Sequence, residues 1–522
     1  MELTETEERE FSKYLAPNTI TNVVRTLLIA LVGLMLVPFF IGRLGSGVYG
    51  IIPLAVSVTT YVVVISNELT NAFSRSLIIA LHEGNKEESN KVYTTTVLGL
   101  GRTVLMLIPL IVIISYISPY VFQIGSSSVF GVQFMFLMML SSALLVSFSA
   151  CFNGIYMAFN RMYILYSAGI VQVLLQVTLI LILFSVKGAS LEMVGIAYMA
   201  ASIVFFFAIW FTAGRLCPEL RIERRYYDRV ILKEMGSLGM WTITSRLGLL
   251  LFIQASLIVV NIFMGAEEGA GFAIVANLIS MTNTACLTIT MVIAPFLYRS
   301  YAENNIQNII RIAKAAMKFI GLFVAFPIAY LCIFSPQILT MWVGGEFSYL
   351  SEIIFVMFII QVAVCAVSML DAIPILFIKM KQIAFLTLTV GAANIILAAA
   401  AVLYMGAGTV GVAAAWMISM FVLNVLLYPY AIAKMTSADR LTFIKPMISG
   451  YAAFFICLAL FWAASKLFTL PSTWTAVLGL FALAYVVYLV IALALGLGRE
   501  EKDLMRGVMP KHIAKYVPRW LF

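Results

Sequence analysis

Stretches of about 20 consecutive apolar residues recur along nearly the whole chain, and this feature limits what the chain can fold into. Each stretch is long enough to cross a hydrocarbon layer of about 30 Å as an α-helix, which rises about 1.5 Å per residue. We count 14 of them, the first at 20–41 and the last at 474–497, and only 11% of all residues are charged. The sequence therefore predicts an all-α membrane protein with about 14 transmembrane helices, and it excludes a water-soluble globular protein.

The positions of the lysines and arginines predict how the chain is inserted. With a cytoplasmic N-terminus, 27 of the 33 basic residues fall on the cytoplasmic side and 3 on the opposite side, and Arg25, Arg102 and Arg246 lie within the apolar stretches. Cytoplasmic loops of membrane proteins carry such a basic excess. We therefore expect a multi-pass protein of the plasma or inner membrane with both termini cytoplasmic. The net charge of +9 would then contact anionic membrane lipids, and nucleic acid is not expected as a partner.

Parts of the first half of the chain recur in the second half. Thr21-Asn22-Val23-Val24-Arg25 opens the first apolar stretch, and Thr242-Ile243-Thr244-Ser245-Arg246 opens the seventh. Such repeats are common in transporters, whose binding sites lie between the repeated halves. We expect two pseudo-symmetric six-helix bundles and two further C-terminal helices. The expected segments are a cytoplasmic N-terminal segment at 1–19, a first bundle at 20–214, a basic linker at 215–235, a second bundle at 236–433, helices 13 and 14 at 444–497, and a basic cytoplasmic tail at 498–522.

Several short motifs occur in an order that resembles one family. They are Phe39-x-x-Gly42-x-x-Gly45-x-x-x-Tyr49-Gly50, Leu69-x-x-Ala72-x-x-Arg75, Arg246-Leu247-Gly248, Pro295-x-x-x-Arg299, and Asn394 followed by Gly408-x-x-Gly411-Val412-x-Ala414. Together with the 14 stretches and the duplication, they resemble the polysaccharide and lipid-linked oligosaccharide flippases of the multidrug/oligosaccharidyl-lipid/polysaccharide (MOP) superfamily. The resemblance implies paired bundles around a cavity that opens alternately to either side, and a polyprenyl-linked saccharide as the substrate.

The three arginines within the apolar stretches are the candidates for a substrate site. Placing an arginine at the centre of a lipid-facing helix costs at least about 2.5 kcal/mol, so Arg25, Arg102 and Arg246 should face protein or water. A guanidinium binds the oxygens of a diphosphate through forked, charge-assisted hydrogen bonds. The structural alternative is that each arginine reaches the interface or pairs with a carbonyl group.

Polar residues near these arginines and basic residues at the cytoplasmic mouth complete the expected site. Asn22, Ser245 and Gln254 can hydrogen-bond sugar hydroxyls, and Arg75 and Arg299 can attract the substrate headgroup or simply anchor the topology. Glu68 and Asp371 are candidates for binding a coupling Na⁺ or H⁺, although Glu68 can also pair with Arg75 and Asp371 with Lys379. No cofactor or metal site is expected.

Three classes of function remain open at this point. The first is a flippase that moves a polyprenyl-diphosphate-linked oligosaccharide or polysaccharide repeat unit by alternating access. The second is a multidrug or cation antiporter, which should carry deep acidic residues, whereas the deep charges here are arginines. The third is a polymerase or ligase, which should have a base or an acid cluster in a large outward loop, whereas the outward loops here are short. We therefore expect a non-enzymatic flippase, monomeric, working beside polysaccharide-assembly enzymes.

Overall fold

The computed structural model describes residues 5–467, 471 and 473–508, and in this part of the chain it is built from helices. Fourteen of these helices are long and apolar enough to cross a membrane, which confirms the expected number. We name their main helices α1 (Glu5–Leu44), α2 (Ile51–His82), α3 (Lys86–Val121), α4 (Val129–Ser149), α5 (Met162–Lys187), α6 (Leu191–Leu216), α7 (Arg229–Met264), α8 (Ala266–Ala302), α9 (Ile306–Trp342), α10 (Leu350–Val367), α11 (Met380–Leu403), α12 (Gly408–Phe421), α13 (Lys445–Leu467) and α14 (Trp474–Gly496). The fourth, tenth and twelfth spans continue through short helical segments to Ala158, Leu376 and Met435. A short helix, α15 (Arg499–Val508), follows them.

Several helices are longer than the apolar stretches that predicted them. The third stretch was expected at 92–114, whereas α3 runs from Lys86 to Val121. Its first turn lies outside the apolar run and is capped by Asn85, whose side chain accepts a hydrogen bond from the backbone N–H of Glu88. Hydropathy measures how much of a helix can lie in hydrocarbon, so it misses polar turns that continue the same helix in water.

The described helices form two compact units, and helix α7 contributes to both. Unit 1 comprises 1–250 and 260–270, and unit 2 comprises 251–259 and 271–522. In unit 1, α4 packs against α6, α5 and α6 pack together, and α1 lies along α5. In unit 2, α10 packs against α12, and α11 and α12 pack together. The same order of pairings therefore recurs after six helices, whereas the bundle limits 20–214 and 236–433 stay a prediction.

Local backbone structure repeats as well, which supports the duplication. Helix α4 ends in a 3₁₀ turn at Ala150–Phe152 and a short helix at Asn153–Ala158, and α10 ends in a 3₁₀ turn at Ser368–Asp371 and a short helix at Ala372–Leu376. A residue with positive φ closes each short helix, Asn160 at 51° and Ile378 at 54°. Further pairs at nearly the same sequence offset are Gly45 with Gly265, Gly125 with Gly344, and Gly188 with Gly406. The two halves thus share turns as well as helices.

Helix α9 is surrounded by α10, α13 and α14 in unit 2. Gly321 and Gly450 let α9 and α13 approach closely, because a Cβ atom on Gly450 would lie 3.0 Å from backbone atoms of Gly321. Pro327 lies inside α9 and cannot donate a hydrogen bond to the carbonyl of Phe323, four residues earlier. The Tyr485 hydroxyl of α14 donates to this carbonyl at 2.9 Å. Helix α14 therefore satisfies an acceptor that the proline leaves open.

A second tyrosine of α14, one turn after Tyr485, also donates a hydrogen bond to a carbonyl of α9. The Tyr488 hydroxyl donates to the Leu322 carbonyl at 2.7 Å, and both tyrosines stack at the edge of an aromatic cluster around Phe326. A carbonyl that a proline leaves open needs another partner, because hydrocarbon offers none. Helix α14 thus supplies hydrogen bonds to two carbonyls of α9 near Pro327.

The basic linker after α6 is docked on the start of α3. The backbone N–H of Arg221 donates to Asn90 Oδ1 at 2.6 Å, and the Thr94 hydroxyl donates to the Arg221 carbonyl at 3.1 Å. The backbone N–H of Asp228 donates to Thr95 Oγ1 at 3.0 Å. Cys217 is buried at this contact, and burial raises the pKa of its thiol. The linker therefore has a fixed position on unit 1.

We expect that replacing both tyrosines of α14 destabilises the protein without changing its fold. Tyr485→Phe with Tyr488→Phe keeps the aromatic packing and removes two hydrogen bonds, each worth about 0.6–1.7 kcal/mol in a membrane protein. Thermal unfolding in detergent should therefore begin at a lower temperature. Tyr404→Phe is the matched control, because this side chain is 87% exposed, and it should leave unfolding unchanged. An unchanged midpoint in the double variant would contradict the role given to α14.

Undocking of the linker should be visible in the reactivity of Cys217. In a variant with the other five cysteines replaced, Asn90→Ala should accelerate alkylation of Cys217 several-fold at pH 7, because exposure would return its raised pKa toward the ordinary value and increase the thiolate fraction. Lys86→Ala serves as the control, since the exposed Lys86–Glu219 ion pair contributes little to the docking. Equal rates in both variants would show that the Asn90 contact does not hold the linker.

Candidate functional site

One face of α1 carries polar residues and is turned toward α5. The side-chain amide of Asn18 donates to the Asn160 carbonyl at 2.9 Å and to Asn160 Oδ1 at 2.8 Å, and Asn18 Oδ1 accepts from the backbone N–H of Tyr163 at 2.7 Å. Asn22 and Arg25 follow Asn18 at the i+4 and i+7 positions, which lie on the same face of a helix. Asn18 therefore fixes the direction in which Asn22 and Arg25 point.

Arg25 lies against a glycine of α5. A Cβ atom added at Gly169 would lie 2.5 Å from Arg25 Nε and 3.0 Å from its Cδ, so the absent side chain of Gly169 leaves room for the arginine. Arg25 is half-buried, and its Nε atom is buried with no hydrogen-bond partner among the described residues. A buried guanidinium N–H without a partner is unfavourable. The Nε donor is therefore unsatisfied within the described part of the chain, although protein atoms cover it.

The opposite face of α1 is apolar and exposed. It carries the exposed side chains of Ile20, Val23, Val24, Leu27 and Leu31. These positions lie about 140–240° around the helix from Asn18, calculated at about 100° per residue. The arginine expected to avoid lipid therefore projects from the side of α1 that packs within unit 1.

The candidates on α7 lie in different environments. Ser245 is buried, Gln254 is half-buried, and Arg246 has an exposed side chain. Two turns beyond Arg246, the amide of Asn394 on α11 donates to the Leu251 carbonyl at 3.0 Å and to the Ser256 hydroxyl at 3.1 Å. This contact holds α7 against α11 much as Asn18 holds α1 against α5. Whether Arg246 shares a site with Arg25 stays a prediction.

Arg102 is exposed on a largely apolar face of α3. Met106, Pro109 and Ile113 follow it at nearly the same angle around the helix, and all three are exposed. Exposed apolar side chains of this kind are typical of a lipid-facing surface, and the expected role of Arg102 in a substrate site stays a prediction.

Two further candidates, Arg299 and Asp371, are bonded to other side chains. Arg299 Nε donates to Glu303 Oε1 at 2.9 Å, and both side chains are exposed. Asp371 Oδ1 accepts a hydrogen bond of 2.7 Å from the hydroxyl of the buried Tyr428. The expected pairing of Asp371 with Lys379 stays a prediction. The side chains of Glu68 and Arg75 lie outside the described residues, so their expected roles stay predictions.

Sequence reasoning missed Asn18 and Gly169, the two residues that position Arg25. The spacing of Asn18, Asn22 and Arg25 is a signal that could have been noticed, because it places three polar side chains on one face of an apolar helix. Nothing in the sequence marks Gly169 as the partner, since it lies in another helix far along the chain. Its role depends on how α1 and α5 pack.

The fold and the duplicated polar helix faces define a multi-pass membrane protein with the architecture of MOP superfamily transporters. The chain belongs to the polysaccharide biosynthesis protein family, whose model matches residues 15–301. It is similar to the uncharacterized membrane protein EpsK of Bacillus subtilis (strain 168), with 24% identity over 494 residues that cover 94% of this chain and 96% of EpsK. These findings confirm the family resemblance seen in the sequence.

Solved structures share the fold at low sequence identity. The lipid II flippase MurJ in an inward closed conformation aligns with a TM-score of 0.68 and 16% identity, covering 94% of this chain and 99% of MurJ. An inward-facing multidrug resistance MATE family transporter of the MOP superfamily aligns with a TM-score of 0.63 and 15% identity, covering 85% of this chain and 96% of the transporter. Flippases and drug transporters therefore share this architecture, and the fold alone does not select the substrate.

We expect Asn18 to be more important for stability than Asn22. Asn18→Ala removes three hydrogen bonds between α1 and α5 and should cost about 1–3 kcal/mol, because bonds at a helix contact in the membrane are worth about 0.6 kcal/mol on average and the backbone groups lose their partners. Thermal unfolding of purified protein would measure this. Asn22→Ala is the control on the same face and should have a smaller effect. Equal effects would argue against the orientation of α1 described above.

Proposed function

We propose that this protein is a flippase that moves a polyprenyl-diphosphate-linked saccharide across the cell membrane by alternating access. The observation that carries the proposal is the position of Arg25, a cation projecting from the inner side of a spanning helix with a buried donor that no described residue uses. A diphosphate supplies the acceptor oxygens and the negative charge that such a group requires. Membership of the polysaccharide biosynthesis protein family supports a saccharide-bearing substrate.

The remaining arginines extend this proposal. Arg246 occupies the position in the second repeat that matches Arg25 in the first, and its exposed side chain can reach an anionic ligand. Arg102 adds a third guanidinium on an exposed face. We place the substrate phosphates among these three cations, with Asn22, Ser245 and Gln254 hydrogen-bonding nearby groups. Arg299 and Arg75 would attract the headgroup at the cytoplasmic mouth, with both termini of the chain cytoplasmic.

The sign of these charges separates this proposal from drug export. A transporter of cationic drugs needs buried carboxylates to bind its substrate, whereas the proposed site is cationic. Asp371 is bonded to the hydroxyl of Tyr428, and we assign it, together with Glu68, to binding a coupling Na⁺ or H⁺ rather than the substrate. The similarity of the fold to MATE transporters does not favour a cationic substrate, because it extends to the flippase MurJ as well.

Reconstituted flipping tests the proposed role of Arg25. In proteoliposomes with a fluorescent polyprenyl-diphosphate saccharide, Arg25→Ala and Arg246→Ala should each reduce the initial rate at least tenfold, because each removes a phosphate ligand. Arg25→Lys keeps the charge but loses the forked geometry, so it should retain intermediate activity. Arg311→Ala is the matched control, since Arg311 is exposed and lies 3.9 Å from Glu500.

Two results would contradict the proposal. Normal flipping by both alanine variants at equal protein levels would remove the arginines from the site. Transport of a cationic dye by the wild-type protein, without any flipping of the saccharide lipid, would instead favour the drug exporter.

A further inference from the structure

Helix α8 has two polar faces with different surroundings. Cys286 and Thr290 are buried on the side that packs against α10, and Asn283 is half-buried at the edge of this contact. Ser280, Thr284 and Thr288 follow one another at intervals of one turn on the opposite, exposed side. Thr284 lies at the midpoint of α8, which is a candidate membrane span. We call the row Ser280, Thr284 and Thr288 the hydroxyl row.

The hydroxyl row presents acceptors rather than donors. The Thr284 hydroxyl donates to the Ser280 carbonyl at 2.8 Å, and the Thr288 hydroxyl donates to the Thr284 carbonyl at 2.9 Å. The protons of these two hydroxyls are therefore used within the helix, while the oxygen lone pairs of Thr284 and Thr288 remain open on the exposed side. Such a surface suits a ligand rich in hydrogen-bond donors, and it is unsuited to the oxygens of a phosphate.

The side-chain amide of Asn283, beside the hydroxyl row, is oriented by a buried residue of α10. Gln361 of α10 is fully buried, and its side-chain amide donates to Asn283 Oδ1 at 2.5 Å. Because the oxygen of Asn283 is engaged in this way, its NH₂ group points away from Gln361. A buried glutamine that fixes the orientation of a half-buried asparagine is an arrangement that hydrophobic packing does not require. It gives the edge of the hydroxyl row one oriented donor.

We infer that the hydroxyl row and Asn283 form a binding surface for the saccharide part of the substrate, separate from the arginines that bind its phosphates. This inference rests on the proposed function and adds the orientation of the substrate. Sugar hydroxyls and amide N–H groups donate to Thr284 and Thr288, and a sugar oxygen accepts from Asn283. Gln361 is a positioning residue, because it acts through Asn283. The surface lies entirely within unit 2.

Binding of two lipids that differ only in the sugar tests this inference. The probes are a polyprenyl diphosphate carrying a neutral disaccharide and the same polyprenyl diphosphate without sugar, each titrated into purified full-length protein. Thr284→Val with Thr288→Val keeps the side-chain shape and removes two acceptors, so it should weaken binding of the saccharide lipid about five- to twentyfold. Binding of the sugar-free lipid should stay within twofold. Gln361→Leu should change the preference in the same direction.

Thr282→Val is the matched control on the same helix. Its hydroxyl makes the same type of bond, to the Leu278 carbonyl at 2.9 Å, but the residue is half-buried on the side of α8 away from the row. It should leave both affinities unchanged. Arg25→Ala should weaken binding of both lipids, because both carry the diphosphate.

The possible failures are distinguishable. If the double valine variant binds both lipids as the wild type does, the hydroxyls of the row bond only within their own helix and face lipid, and the inference is wrong. If it weakens both lipids equally, the row does not recognise sugar. If the wild-type protein binds neither lipid, the proposed function fails, and this inference fails with it.

Discussion

Hydrocarbon cannot hydrogen-bond a polar group, and this constraint limits where the polar side chains of the spanning helices can be placed. The side-chain amides of Asn18 and Asn394 donate to a neighbouring helix, and the Tyr485 hydroxyl donates to the carbonyl that Pro327 leaves open. The Thr284 hydroxyl donates within its own helix. Several buried polar atoms have no partner among the described residues, and of these Arg25 Nε is the one that belongs to a charged side chain. We assign this charged group to the substrate.

The duplication explains why the two halves can share a fold and still differ in chemistry. Both units use an asparagine to hold the first helix of a repeat against the fifth, through Asn18 in one and Asn394 in the other. Unit 2 adds α13 and α14 around α9, and α14 hydrogen-bonds two carbonyls of α9 near Pro327. Unit 2 also carries the hydroxyl row. We therefore assign phosphate binding mainly to arginines of the first half and of α7, and sugar binding to α8.

The sequence was sufficient to predict features that depend on hydropathy and local pattern. The number of spans and the repeat were visible because each apolar stretch reflects the thickness of the bilayer, and because Arg25 and Arg246 occupy similar sequences. The polar turn that extends α3 beyond its apolar stretch was not predicted, since it does not contribute to hydropathy. The contacts of Arg25 with Gly169 and of Asn283 with Gln361 join residues distant in the sequence, so they required the packing of whole helices.

Labelling of single cysteines tests whether the polar faces of the spanning helices border water rather than lipid. Thr284→Cys and Ile396→Cys, each in a cysteine-free background, place a thiol near the middle of an exposed helix face, one polar and one apolar. We expect a charged, membrane-impermeant thiol reagent to modify position 284 and to leave position 396 unmodified. If both positions resist the reagent equally, from either side of the membrane, the hydroxyl row faces lipid and cannot bind the saccharide.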